Sequence, residues 1–181
     1  MVQIPTIHTE RLMLRPFRPS DAEVVQRLAG DRDIAATTIL IPHPYPDGVA
    51  EEWIATHAAS FDKGECLTLA VTSRADGTLH GAVSLTINAR HQHAELGYWI
   101  GKPYWGRGYA TEAGLAVLGY AFNALDLNRV FAHHMAKNRA SGRVLEKIGM
   151  RYEGTLVQHV RKWDGYEDIG HFGILARDYN G

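Results

Sequence analysis

The stretch WIGKPYWGRGYATEA, from Trp99 to Ala113, sets Gly106 and Gly108 directly before an apolar helical run. Consecutive amides from Gly106 to Ala110 would point off a helix N-terminus, whose positive dipole end favours an anion. Glycines let a backbone come close to that anion. The chemistry on offer is phosphate holding, and the plain alternative is a turn that only starts a helix. A Walker A loop is excluded, because no Gly-Lys-Ser/Thr follows. Gly106-x-Gly108-x-x-Thr111 half-matches a dinucleotide fingerprint, but the acidic residue at roughly the right spacing, Asp126, precedes the strand RVFAHHM instead of ending it. That strand ends in His133, His134 and Met135.

Other reactive side chains are scattered. Glu95 is a charge inside the otherwise apolar run AELGYWIG, where alternation puts Glu95, Gly97 and Trp99 on one face. His91 and His93 share a strand face, whereas His133 and His134 point to opposite sides, so the four cannot form one metal site, and no metal is expected. Cys66 is the only cysteine. It excludes an internal disulfide, and with no base assigned beside it a small buried core residue is the expectation rather than a nucleophile.

These residues need a scaffold. The 181 residues suffice for one domain with a sizeable core, read as residues 1–181. A formal net charge of −1 gives no global pull toward nucleic acid or anionic membrane. With no apolar run near the roughly 20 residues of a membrane span and no signal-peptide pattern, the expectation is cytoplasmic. Along the chain, RLMLRPF reads as a strand and SDAEVVQRLAG as a helix with Ser20 and Glu23 as a capping box. IPHPYPDGV is a proline-broken loop and VAEEWIATHAASF a helix. LTLAVTS and LHGAVSLTI form a hairpin at RADGT, HAELGYWIG is a strand, and ATEAGLAVLGYAFNAL is a long helix. After RVFAHHM comes NRASGRVLEKIG, a helix capped by Asn138 and ended by Gly149, and the chain closes with a hairpin around KWDG. The sum is a mixed α/β (α+β) fold, with a mostly antiparallel sheet of about seven strands and about four helices.

ELGYWIGKPYWGRGYATEA together with NRASGRVLEKIGM resembles the GNAT acetyltransferase superfamily, in the branch typified by RimJ and RimL, which acetylate N-termini of ribosomal proteins. TERLMLRPFRPSDAE, IPHPYPDGVAEEWI and the closing YEGTL and DGYEDIGHFGIL follow that branch in order, so the resemblance spans nearly the whole chain. It implies an acyl-CoA N-acyltransferase fold and acetyl-CoA as co-substrate. The pyrophosphate loop would be Trp105, Gly106, Arg107, Gly108, Tyr109 and Ala110, continuing to Thr111. Trp105 stands where the wider superfamily has Gln or Arg, which costs little if backbone amides do the binding. Arg107 would either contact phosphate or remain solvated.

The same resemblance makes Tyr98, Trp99 and Ile100 the strand that pairs with the pantetheine arm, with an amide near Trp99 or Ile100 polarising the thioester carbonyl. Glu95 would be the general base that takes the amine's proton. The alternative is a Glu reaching solvent or an arginine, and Glu112 is the rival carboxylate, better suited to the helix dipole. Asn138 would bond the pantetheine arm while capping its helix, and Ser141 would sit near the sulfur as the acid or merely decorate the first turn. The acceptor wall would be DRDIAATTILIPHPYPDG with the last hairpin. Acceptors in view are a protein or peptide N-terminal amine, or a small amine such as an antibiotic, polyamine or amino acid. A non-catalytic acyl-CoA-binding module is the third reading. The expected assembly is a monomer or a homodimer.

Overall fold

A computed structural model describes residues 3–180. The strands are β1 (Ile7–His8), β2 (Leu12–Arg15), β3 (Cys66–Ser73), β4 (Leu79–Asn88), β5 (His93–Ile100), β6 (Arg129–Met135), β7 (Arg151–Lys162) and β8 (Gly165–Leu175). The helices are α1 (Ala22–Ala29), α2 (Arg32–Thr37), α3 (Val49–Asp62), α4 (Tyr109–Asn123) and α5 (Arg139–Lys147). One sheet runs in the order β1-β2-β3-β4-β5-β6-β8-β7. Every neighbouring pair is antiparallel except β5 and β6. The β5–α4–β6 crossover is what makes that pair parallel.

The mixed-sheet reading holds, with one strand and one helix more than the sequence pattern suggests. β1 has two residues, too few for any periodicity, and hangs on a turn in which Thr9 N–H donates to Leu12 O at 2.9 Å. α2 has six residues, and Asp31 caps it by accepting from Asp33 N at 2.8 Å. The expected Ser20 cap is replaced. Ser20 lies inside a 3-10 turn, Pro19–Asp21, and Asp21 accepts the Arg18 N–H at 2.7 Å. Asp21 also forms a buried two-point pair with Arg15, at 2.7 and 2.9 Å. Burial alone would raise the Asp21 carboxyl, but the bonds from Arg15 and the Arg18 amide hold it below the ordinary carboxylate value.

Apolar side chains bury both faces of the sheet. On one, Leu67, Leu69, Val83, Leu85, Ala94 and Leu96 pack with Val117, Leu118 and Ala121 of α4 and Leu145 of α5. On the other, Val25 and Ala29 of α1 and Ala50 and Ile54 of α3 cover Ala70, with Phe17, Trp53 and Trp99 at the margin. Cys66 is half-buried at the start of β3, not fully in the core, with Sγ 3.4 Å from Thr68 Oγ1.

Candidate active site

The parallel pair opens part way along β5. β5 and β6 are in register at His93–Arg129, Ala94–Val130 and Glu95–Phe131 and at no later residue. Asn128 and Arg129 N–H, both directed at Gln92 O (2.8 and 3.3 Å), lock the closed end. From Leu96 onward the strands diverge. The Gly101 N–H on His80 O at 2.7 Å fixes the alternation of β5 against β4. Trp99 therefore turns its backbone toward β4, and Leu96, Tyr98 and Ile100 turn theirs into the gap. The β4–β5 approach is tight enough that a Cβ on Gly81 would lie 2.0 Å from Trp99 O. Of the two amides expected near a thioester, the one aimed at the gap is that of Ile100.

The glycine loop lies at the mouth. Gly106 and Gly108 have φ of 73° and 81°, left-handed values that other residues resist. Gly108 is the N-cap of α4, whose ladder starts with Glu112 N–H on Gly108 O at 3.0 Å. The amides of Tyr109, Ala110 and Thr111 precede that ladder and are available to an anion. Trp105 folds back to donate its indole N–H to Ile100 O at 2.5 Å, bracing loop against strand. Arg107 lies 5.9 Å over the Tyr104 ring.

Arg11, a residue the sequence pattern did not single out, clamps this loop. Its Nη1 donates to Arg107 O at 3.0 Å, its Nε to Glu112 Oε2 at 2.7 Å, and its backbone N–H to Glu112 Oε1 at 2.8 Å. Thr9 Oγ1 adds a 2.6 Å bond to Glu112 Oε1. Burial would raise the Glu112 carboxyl, but these bonds from Thr9 and Arg11 hold it low. Glu112 is thereby committed to anchoring.

Strand alternation brings two polar groups to the gap from opposite faces. On the α5 side, Tyr98 Oη lies 2.7 Å from Ser141 Oγ and 3.2 Å from Ser141 O. Burial pushes the Tyr98 hydroxyl up to about 12, so it keeps its proton. Asn138 caps α5 by accepting from Ser141 N at 3.2 Å, which leaves its amide NH₂ uncommitted by the cap. On the other face stands Glu95, whose side chain is 37% exposed, with Oε1 3.1 Å from His133 Nδ1. Glu95 is the last β5 residue paired to β6. His134 points the other way, toward Gly142 and Gly170. Cys66 lies in line with Glu95 through Thr86, about 10 Å away at ordinary strand spacing.

The expected acceptor wall is assembled from distant pieces. Lys162, buried near the tip of the β7–β8 hairpin, donates to Ile41 O at 3.0 Å and reaches Ile39 O at 3.4 Å. Arg32 stacks on Trp163 at 5.2 Å and His43 lies 6.4 Å from the same ring. Asp33 is paired with Lys102 (2.5 Å), Asp47 accepts from Gln26 (2.6 Å), and Glu167 is paired with Lys137. Leu40 is 91% exposed at the loop's outer edge.

Residues 11–151 match the family described as "Acetyltransferase (GNAT) domain", and the chain belongs to that family: it is an acetyl-CoA-dependent N-acetyltransferase. It is similar to the uncharacterized N-acetyltransferase p20 of Bacillus licheniformis, 28% identical over 97% of this chain and 99% of that protein. It is also similar to YdaF of Bacillus subtilis (strain 168), provisionally named a ribosomal N-acetyltransferase, 35% identical over 59% of this chain and 58% of that protein. Among solved structures, an acetyltransferase (GNAT family) from Bacillus anthracis superposes with a TM-score of 0.85 at 25% identity, covering 96% of this chain and 99% of that one. The fold is likewise that of RimL, the ribosomal L7/L12 alpha-N-protein acetyltransferase solved with coenzyme A (TM-score 0.85, 17% identity, covering 94% and 98%). Spermidine N-acetyltransferase from Vibrio cholerae, solved with CoA and spermine, shares it too (TM-score 0.81, 24% identity, covering 94% and 99%). Among the described residues, no helix is long and apolar enough to cross a membrane.

Proposed function

We propose that this acetyltransferase transfers acetyl from acetyl-CoA directly to a primary amine, with the N-terminus of a peptide or protein as the acceptor. The observation that carries the reading is that β5 and β6 part at Glu95, the one carboxylate at the apex of the gap. The residues present fit a coenzyme A thioester. The backbone of Tyr98 and the Ile100 N–H face the gap and can pair with the amides of a pantetheine arm, the Ile100 carbonyl being engaged by the Trp105 indole. The α4 amides are open to a pyrophosphate, and a Cβ at Gly106 would meet nothing within 4 Å, so the approach is clear.

In this reading Glu95 takes the proton that an ammonium must lose before its nitrogen can attack. The Ile100 N–H hydrogen-bonds the acyl oxygen as charge gathers there. The new C–N bond forms from the Glu95 face, and the C–S bond breaks toward the α5 face. When the Tyr98 proton goes to Ser141 Oγ rather than to Ser141 O, the Ser141 proton is free to bond the departing sulfur. That help is modest, because a thiolate of pKa near 8.5 already leaves readily. Cys66 takes no part.

Two features support a peptide acceptor over a polycation. The wall loop ILIPHPYPDG is rich in proline, which reduces the entropy lost on ordering. The loop's one carboxylate, Asp47, accepts from Gln26, and Glu167 of the last hairpin is paired with Lys137. A polyamine would need several free carboxylates, whereas an extended peptide brings its own backbone partners. The fold shared with a spermidine N-acetyltransferase is the reason to test the alternative directly. Thiol release from acetyl-CoA, measured with short N-terminal peptides, spermidine and an aminoglycoside, should give the highest kcat/KM with a peptide. A polyamine ahead of every peptide by a wide margin would overturn the acceptor assignment.

A further inference from the structure

Sequence pattern offers His133 only as half of an adjacent histidine pair. The sheet gives it a definite place. It lies two residues beyond Phe131 on β6, on the same face, and Phe131 is the register partner of Glu95. Parallel strands that diverge from this point let the two side chains meet, His133 Nδ1 at 3.1 Å from Glu95 Oε1. Around the imidazole stand Glu95 from β5, His171 from β8, its register partner with ring centroids 5.8 Å apart, His159 from β7, and His134 next in β6. Glu95 is the only anion in that set.

We infer that His133 is the positioning residue of the catalytic base: its ring, with Nδ1 3.1 Å from Glu95 Oε1, fixes that oxygen and so presents Oε2 to the incoming amine. The inference rests on the reading of Glu95 as base. Facing a carboxylate, the neutral ring carries its proton on Nδ1, since two lone pairs would otherwise oppose each other. Half-buried carboxylates with one oxygen fixed lose fewer rotamers when the second must meet a ligand. The ring also brings a pH response. Burial lowers its affinity for a proton, Glu95 opposes that, and the three other histidines reinforce it, leaving it below the ordinary 6.5. At neutral pH His133 is therefore uncharged. When acid converts it to an imidazolium, a positive charge appears beside Glu95 Oε1. The acid limb of the rate then includes the titration of His133.

Three variants test this by the pH dependence of kcat and KM with one fixed peptide acceptor. His133→Leu removes the donor and should lower kcat by roughly 10- to 100-fold, with the KM for acetyl-CoA within about twofold of the parent value. His133→Asn keeps an N–H donor that cannot titrate. It should recover most of that loss at pH 8.5, with its acid limb displaced to lower pH. Glu95→Gln should nearly abolish turnover in either background. A His133→Leu enzyme of parental kcat, or a His133→Asn enzyme whose acid limb stays at the parent's pH, would overturn the positioning role while leaving Glu95 as base. Parental turnover by Glu95→Gln would overturn the base assignment and this inference with it.

Discussion

The two sides of the gap are built on different principles. The cofactor side uses backbone: the open β5 edge, the α4 amides and two glycines in left-handed conformation, with Arg11, Thr9 and Glu112 holding the loop from behind. The acceptor side uses side chains reaching across long sequence separations, Lys162 to Ile41 and Arg32 to Trp163. Backbone contacts suit a ligand that never changes. Side-chain contacts can be exchanged without disturbing the sheet, which lets acceptors differ within one fold. The proposed base and hydroxyl sit where the two constructions meet, Glu95 on one face and Ser141 on the other.

That contrast can be broken by substitution. The largest effect expected on stability or binding is the response to acid. His57 on α3 has both ring nitrogens buried without a partner, against Phe17 and Trp53, and burial lowers it from 6.5 to about 4. Between those values the unfolded chain holds a proton that the folded chain refuses, so stability rises with pH across the window and falls as acid is added. Going from pH 7 to 4 should cost the parent about 3 kcal/mol more than His57→Leu. Denaturant midpoints for both proteins check this, and parallel pH curves would contradict it.

Next in size, Gly108→Val should weaken acetyl-CoA binding by roughly 10- to 100-fold, because φ of 81° is strained for a β-branched residue and its Cβ would meet Arg11 Nη2 at 3.3 Å. Calorimetry reads it directly, and an unchanged Kd would dissolve the loop assignment. Glu112→Gln loses charge against Arg11 and should cost about 1–2 kcal/mol of stability and a few-fold in acetyl-CoA affinity, with the acceptor KM unmoved. Smallest of all, Lys162→Met should change the acceptor KM a few-fold and leave the acetyl-CoA Kd alone. Equal shifts in both would mean the two sides are not separable.

Sequence made one side far more legible than the other. The glycine loop, the α4 start and the Asn138 cap are local, so neighbouring residue types specify them. Strand alternation sufficed to put Glu95 and Tyr98 on opposite faces. It could not show where β5 and β6 part, because that depends on how far a parallel pairing runs between segments 34 or more residues apart. The Arg11–Glu112 clamp joins residues separated by 101 positions and the Lys162–Ile41 tether by 121. The Glu95–His133 contact needed both the parallel register and the divergence. Ser20 misled because Asp21, one residue later, had the stronger acceptor and a buried arginine to pair with.

The central claim is that Glu95 serves chemistry while backbone serves binding, and Glu95→Gln separates the two. Turnover with the best peptide acceptor at neutral pH should fall by roughly 10²–10⁴-fold, while calorimetry gives an acetyl-CoA Kd within about twofold of the parent. A Kd that loosens in step with the rate, or a rate that does not fall, would contradict the account.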